Sequence, residues 1–176
     1  NYKLAVLATL FIQVFKMGAE PFFFNQSSDR NAPETYARVT KYFVMICCFI
    51  FLAITMNLDF IEGFIAHRHH EYAEGIDIIP VLTMANILIG IYYNLSIWYK
   101  LTNKNTIGAI ITIAGAIITI VLNILLIPKF HYYGAALATF SCYFFMMLCS
   151  YKLGQKYYPV PYARKKLTAY IVLVVL

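Results

Sequence analysis

Long apolar runs, separated by short polar connections, make up most of the chain. A membrane-spanning helix needs about 20 mainly apolar residues. Four runs meet that length: residues 42–60, 78–99, 107–127 and 132–151. Residues 2–24 meet it if the charged Lys16 and Glu20 are accommodated, and residues 167–176 are a truncated sixth run. The pattern predicts an all-α membrane protein, a polytopic helical bundle that forms one membrane domain over residues 1–176.

The composition favours lipid, rather than water, as the solvent of this chain. Hydrophobic residues make up 61% of it and charged residues 12%, whereas a soluble domain has about 25% charged residues. A chain this apolar cannot cover itself with a polar surface. Because it begins without Met and ends inside an apolar run, we expect an internal fragment of a longer membrane protein.

The basic residues are distributed unevenly among the connections. Ten Lys and Arg lie in residues 25–41, 100–106 and 152–166, and two lie in residues 61–77 and 128–131. Cytoplasmic loops are enriched in Lys and Arg, and aromatic residues beside them often lie at the membrane interface, as we predict for Trp98 and Tyr99. We expect the three basic connections to be cytoplasmic. The net charge of +6 therefore indicates membrane orientation rather than nucleic-acid binding.

Polar residues recur on one face of two predicted spans. The third span carries Thr83, Asn86, Gly90 and Asn94. Two asparagines in a span are costly unless they pair or face water, so helix packing and cavity lining both stay open for them. The fourth span has a face of small and hydroxyl residues, for which a helix–helix seam is the favoured interpretation and a wet cavity the alternative: Gly108, Thr112, Gly115, Thr119 and Asn123.

Lys16 and Glu20 are ionisable residues inside the first span. They are four residues apart, so they share a helix face and can partly neutralise each other. An ionisable residue at membrane depth indicates a functional site. We predict substrate binding by Lys16, Glu20, Asn86 and Asn94, and we predict that Pro21 is a hinge. The alternative is that Lys16 snorkels to the cytoplasmic interface while Glu20 marks the helix end.

No motif for covalent chemistry is apparent. The sequence has no Gly-rich phosphate loop, Ser/His/Asp set or paired zinc motif. The four cysteines lie in apolar runs and are expected to be free thiols. The polar segment HRHHE (67–71) could bind a metal in principle but is expected to be solvated. We therefore predict no enzyme activity, no catalytic residue, no metal site and no cofactor.

Three stretches follow a recognisable pattern in order along the chain: GAEPFFF (18–24), GIYYNLSIWYKLTNKNTIGA (90–109) and NILLIPKFHYYGAALAT (123–139). The third resembles bacterial polysaccharide flippases of the multidrug/oligosaccharidyl-lipid/polysaccharide exporter superfamily. The first two look like its lipopolysaccharide-biosynthesis subgroup. The chain departs from the family pattern at His131, where the family often has glycine. The third resemblance is carried by Asn123, Ile127, Pro128, Gly134, Ala135, Ala136, Ala138 and Thr139.

The resemblance implies a two-lobed, MATE-like transporter fold of two six-helix bundles, with this chain as most of the second. It implies a flippase that moves a polyprenyl-diphosphate-linked oligosaccharide by alternating access across the cytoplasmic (inner) membrane of a bacterium, for surface polysaccharide or lipopolysaccharide synthesis. The implied partners are this lipid-linked substrate, membrane lipid and a coupling proton or sodium ion. In that role we expect Lys16 to contact the diphosphate and Glu20 to hold Lys16 in place.

Two other functions stay open. A cation-coupled drug exporter of the same superfamily would use an acidic cavity, whereas the possible cavity charges here are one lysine, Lys16, and one glutamate, Glu20. A membrane-bound glycosyltransferase or polymerase would need a sizeable reactive outer loop, and the longest predicted outer connection is residues 61–77.

Overall fold

The computed structural model describes residues 2–58 and 78–162 together with Leu167, Ala169, Tyr170 and Val172, and it describes side chains from Thr9 onwards. Within this part of the chain the regular elements are helices: α1 (Tyr2–Gln26), α2 (Ala32–Thr55), α3 (Ile79–Leu95), α4 (Ile97–Leu101) and α5 (Asn105–Tyr157). The all-helical class is therefore confirmed. The predicted outer connection 61–77 and most of the predicted sixth run lie outside the described residues.

Three described segments are long and apolar enough to cross a membrane: Ala32–Thr55, Ile79–Leu101 and Asn105–Tyr157. The chain therefore has the helices of a membrane protein. α1 is 25 residues long but is not among these segments, although residues 2–24 were expected to span. The charged Lys16 and Glu20 lie inside it.

The predicted third span is divided between α3 and α4. α3 begins with Pro80 in its first turn. A backbone N–H at this position has no partner within the helix, so the N–H that proline lacks is not missed. The break falls at Ser96, whose Oγ donates to the Tyr93 carbonyl oxygen at 2.7 Å. Such bonds from serine back to its own helix compete with the backbone ladder and bend helices.

The predicted fourth and fifth spans form the two arms of α5. The backbone of His131 leaves the helical region, with φ 47° and ψ −124°, at the end of the predicted outer turn. Positive φ favours glycine, so His131 adopts a backbone conformation that is unusual for a residue with a side chain. Beyond the break, Gly134 lies so close to the first arm that a Cβ would be 2.5 Å from the Leu126 carbonyl oxygen. The arms thus fold back on each other, with residues 105–130 antiparallel to residues 132–157.

Side-chain contacts give the direction of the first helices. α1 and α2 are antiparallel, because the Tyr36 hydroxyl donates to the Phe23 carbonyl oxygen at 2.7 Å while the Phe15 and Phe43 rings lie 4.5 Å apart further along. α1 and α3 run in the same direction. Ile12 packs at Gly90, and residues further along α1 meet residues further along α3 and α4.

α5 packs on the side of α3 that faces away from α1. Its first arm is antiparallel to α3, because Thr112 meets Tyr92 while Gly108 meets Tyr99. The turns after α1 and α4 and the end of α5 consequently gather at one end of the bundle, where the Tyr36 and Tyr158 rings lie 6.2 Å apart. The described parts of the three basic connections thus lie at the same end, and the side of the membrane that they face stays a prediction.

Candidate functional site

A small cavity lies where α1, α2 and α3 meet. Its volume is about 10 Å³, the space of roughly one water molecule. Three predicted site residues, Lys16, Glu20 and Asn94, are part of its wall. Asn86, the fourth, is not, because it lies two turns before Asn94, or about 12 Å along the helix. The wall consists of Ile12, Phe15, Lys16, Ala19, Glu20, Phe23, Phe43, Gly90, Tyr93, Asn94 and Ile97.

The Lys16 ammonium lies over an aromatic ring. Its Nζ lies 4.2 Å from the centroid of the Tyr93 ring, within the range of a cation–π contact. The residue is half-buried. The ring therefore stabilises the ammonium without neutralising its charge.

Glu20 forms its ion pair with Lys100 of α4. The expectation that Glu20 holds Lys16 is therefore wrong for this conformation, although the two residues share a helix face. Because α1 runs parallel to α3–α4, Lys100 lies beside the Glu20 carboxylate, while the Lys16 ammonium lies over the Tyr93 ring. The Lys100 and Glu20 side chains are 28% and 37% exposed. Ion pairs this exposed contribute about 0–1 kcal/mol, so this one can be exchanged at low cost.

Asn94 adds a polar group to the apolar part of the wall. The residue is 4% exposed, and its Nδ2 donates to the Gly90 carbonyl oxygen at 3.1 Å. Its Oδ1 is buried and has no hydrogen-bond partner among the described residues. A buried acceptor without a partner is costly, and the adjoining cavity has space for a water or ligand hydroxyl that could donate to it.

Lys100 and Tyr93 complete the site, and both were missed as candidates. Lys100 belongs to a predicted cytoplasmic connection and Tyr93 is one of many aromatic residues in the spans. No local spacing identifies them, because Tyr93 is adjacent to Asn94 in α3 and Lys100 lies in α4, beyond the break at Ser96. We call Lys16, Glu20, Tyr93, Asn94 and Lys100 the charged site. It holds two cations and one carboxylate.

Pro21 lies one residue after Glu20, and α1 continues past it to Gln26. A proline inside a helix removes one backbone hydrogen bond and is a usual place for bending. Its role as a hinge stays a prediction.

The small-residue face of the first α5 arm packs on other helices at its two glycines. A Cβ on Gly115 would lie 2.8 Å from Met146 Sδ and 3.2 Å from Cys142 Sγ, and one on Gly108 would lie 2.7 Å from the Tyr99 ring. The predicted seam is therefore confirmed at these positions. Further along, Asn123 is half-buried and its Oδ1 has no partner among the described residues.

The four cysteines are free thiols. Cys142 donates to the Gly115 carbonyl oxygen at 3.2 Å, which adds to the seam. No group of three possible metal-ligating residues occurs within the described ranges, and segment 67–71 lies outside them.

Comparisons with protein-family models, with curated proteins and with solved structures find no match to this chain.

Proposed function

We propose that this chain acts in a membrane flippase that carries a polyprenyl-diphosphate-linked oligosaccharide to the outer leaflet of a bacterial inner membrane, for surface polysaccharide or lipopolysaccharide synthesis. The three stretches that resemble polysaccharide flippases support this proposal. In the MATE-like architecture that the resemblance implies, the described helices belong to one of two lobes. The substrate then passes between the lobes by alternating access.

The observation that carries the proposal is the charge balance of the charged site. Lys16 and Glu20 are part of a wall that is otherwise apolar or neutral, and Lys100 contacts the same Glu20 carboxylate from α4, so two cations face one carboxylate. Lysine is a good phosphate binder, acting as a point charge, and its attraction strengthens where water is partly excluded. A net positive site suits a diphosphate and disfavours the cationic cargo of a drug exporter.

Substrate binding in this account exchanges one ion pair for another. An incoming diphosphate competes with Glu20 for Lys100 and takes Lys16 from the face of Tyr93. Once it is released from Lys100, the Glu20 carboxylate can pair with the Lys16 ammonium, which lies four residues away on the same helix face. A proton or sodium ion that binds the freed carboxylate supplies the coupling. Asn94 Oδ1 can accept a hydrogen bond from a sugar hydroxyl.

Complementation of surface polysaccharide in a flippase-null bacterial strain tests this function. Lys16→Gln and Lys100→Gln should each lower surface polysaccharide about tenfold, the worth of one charge-assisted contact. Lys16→Arg should retain substantial transport because it keeps the charge. The matched control is Lys129→Gln, an exposed lysine at the opposite end of the bundle.

Membrane levels of each variant are compared by immunoblot, so that loss of protein is separated from loss of transport. Full complementation by Lys16→Gln at normal membrane levels would rule out the binding role and leave Lys16 as a snorkelling residue.

A further inference from the structure

A second basic cluster lies apart from the charged site, at the end of the bundle where α5 begins and ends. Lys104 Nζ lies 3.6 Å from the centroid of the Tyr157 ring, and Lys156 Nζ lies 5.7 Å from it. Both ammonium groups lie near the same ring, so the distance between them is at most about 9 Å. We call Lys104, Lys156 and Tyr157 the lysine–tyrosine patch.

The Tyr157 ring of the patch packs against the buried indole of Trp98. The Trp98 ring stacks on Tyr157 with centroids 5.5 Å apart and planes 16° apart, and Trp98 Nε1 donates to the Ser150 carbonyl oxygen at 3.1 Å. This close approach needs Gly154, where a Cβ would lie 2.8 Å from the indole. Trp98 is 2% exposed, so its indole is buried between helices. The indole packs against the tyrosine ring from one side, and the Lys104 ammonium lies over the same ring.

Charge at the patch is uncompensated. Neither lysine has an ion pair among the described residues; the described carboxylates at this end are Glu20, which pairs with Lys100, and Asp29 and Glu34 between α1 and the first turn of α2. The first turn of α5, which starts beside Lys104, contains no acidic residue. Two neighbouring cations without ion pairs are complementary to an anion.

The position identifies the kind of anion. The patch lies where the α5 arm of residues 132–157 ends, among the basic connections, and so at the inner interface by the positive-inside rule. Tyr157 is 38% exposed and Lys156 is exposed. Inner leaflets are rich in anionic lipids, and basic groups between helices on that side bind their head groups.

We propose that the lysine–tyrosine patch is a binding site for the phosphate of an anionic phospholipid of the inner leaflet. Lys104 and Lys156 contact the phosphate oxygens, and the exposed part of Tyr157 supports the glycerol region. The site is separate from the charged site, so it binds a resident lipid while the charged site binds cargo.

Native mass spectrometry of the purified chain in dodecyl maltoside tests the site, with dioleoylphosphatidylglycerol or dioleoylphosphatidylcholine added. The wild-type chain should retain phosphatidylglycerol in preference to phosphatidylcholine. Lys104→Gln and Lys156→Gln should each weaken phosphatidylglycerol binding about fivefold, as expected for one basic residue at an anionic surface. The double variant should bind the two lipids alike, and Lys104→Arg should retain the preference.

Two further measurements keep the result unambiguous. Trp98 is the single tryptophan of the chain, so its emission spectrum should shift on phosphatidylglycerol addition in the wild type but not in the double variant. Lys129→Gln, at the opposite end, should behave as the wild type. An unchanged phosphatidylglycerol preference in a folded double variant overturns the proposal.

The same variants distinguish a phospholipid from the proposed cargo. Farnesyl diphosphate, a short isoprenyl diphosphate, should bind the Lys104→Gln/Lys156→Gln variant as it binds the wild type. If farnesyl diphosphate binding is lost while phosphatidylglycerol binding persists, the patch belongs to the cargo path and the phospholipid site is wrong.

Discussion

Tyr92 and Tyr93 are neighbours in α3, yet their polar side-chain contacts are with different helices. Tyr92 is 4% exposed and faces α5, where its hydroxyl contacts Tyr99 and Thr112 oxygens at 3.3 and 3.4 Å. Tyr93 faces α1 and supports the Lys16 ammonium. The α5 side is packed by glycines, methionine and cysteine, whereas the α1 side contains a cavity and three charges.

The α5 side of α3 therefore stabilises the bundle, whereas the α1 side contains the proposed binding site. Close backbone approach through small residues stabilises helices in lipid, where the hydrophobic effect between helices is absent. Partly exposed charges contribute little stability and are costly to place at membrane depth. Substitutions on the α5 side should therefore damage folding, and substitutions on the α1 side should damage binding while the fold persists.

The largest effect on folding should come from Gly115→Leu. Even the first added carbon would lie 2.8 Å from Met146 Sδ, so the arms of α5 must separate or Met146 must find a new position. We expect a loss of about 3 kcal/mol, at the upper end of overpacking costs. Folded yield in detergent, measured by size-exclusion chromatography, should fall severalfold.

The matched control for that experiment is Ala116→Leu, one residue further along, where the side chain is exposed. It should leave the folded yield near the wild-type level. Equal tolerance of both substitutions would mean that the Gly115 face lines an open cavity instead.

A smaller effect, of opposite sign, is expected at the break in α5. His131 has φ 47° and ψ −124°, a backbone conformation that is strained for residues other than glycine and costs about 1–3 kcal/mol. His131→Gly should relieve part of this strain and raise the thermal midpoint. His131→Ala, which removes the imidazole but keeps a Cβ, should not. A rise in both variants would assign the effect to the imidazole rather than to the backbone.

The smallest effect should distinguish the two tyrosines directly. Tyr92→Phe loses two long hydroxyl contacts, so we expect a cost near 0.6 kcal/mol, the average for polar contacts between membrane helices. Tyr93→Phe keeps the aromatic face that Lys16 uses and should be nearly neutral in thermal stability. Thermal unfolding of both variants in detergent measures the difference, and a larger loss at Tyr93 would contradict the division between the two sides.

The sequence predicts the helices well because apolar runs and small-residue spacing are local signals. The seam at Gly108 and Gly115, for example, follows from residues four and three apart. The ion pair of Glu20 does not, because Lys100 lies 80 residues away and nearby Lys16 offers a plausible local partner. Only the parallel packing of α1 against α3–α4 decides between them.

Trp98 shows a second limit of the sequence. Its place beside Lys100 at the end of an apolar run is typical of an interfacial aromatic residue. It is buried because Gly154, on a helix more than fifty residues later in the chain, leaves space for the indole. Polarity along the chain indicates depth in the membrane, but it does not indicate which side chains face another helix.

Binding of farnesyl diphosphate to the purified chain tests the central claim most directly, because the account predicts opposite effects from neighbouring residues. Lys16→Gln and Lys100→Gln should each weaken binding about tenfold, since each removes a phosphate contact. Glu20→Gln should tighten binding, since it removes the carboxylate that competes for Lys100. Lys129→Gln is the control and should change nothing. A Glu20→Gln variant that binds more weakly, or lysine variants that bind as the wild type does, would contradict a diphosphate site between α1 and α3–α4.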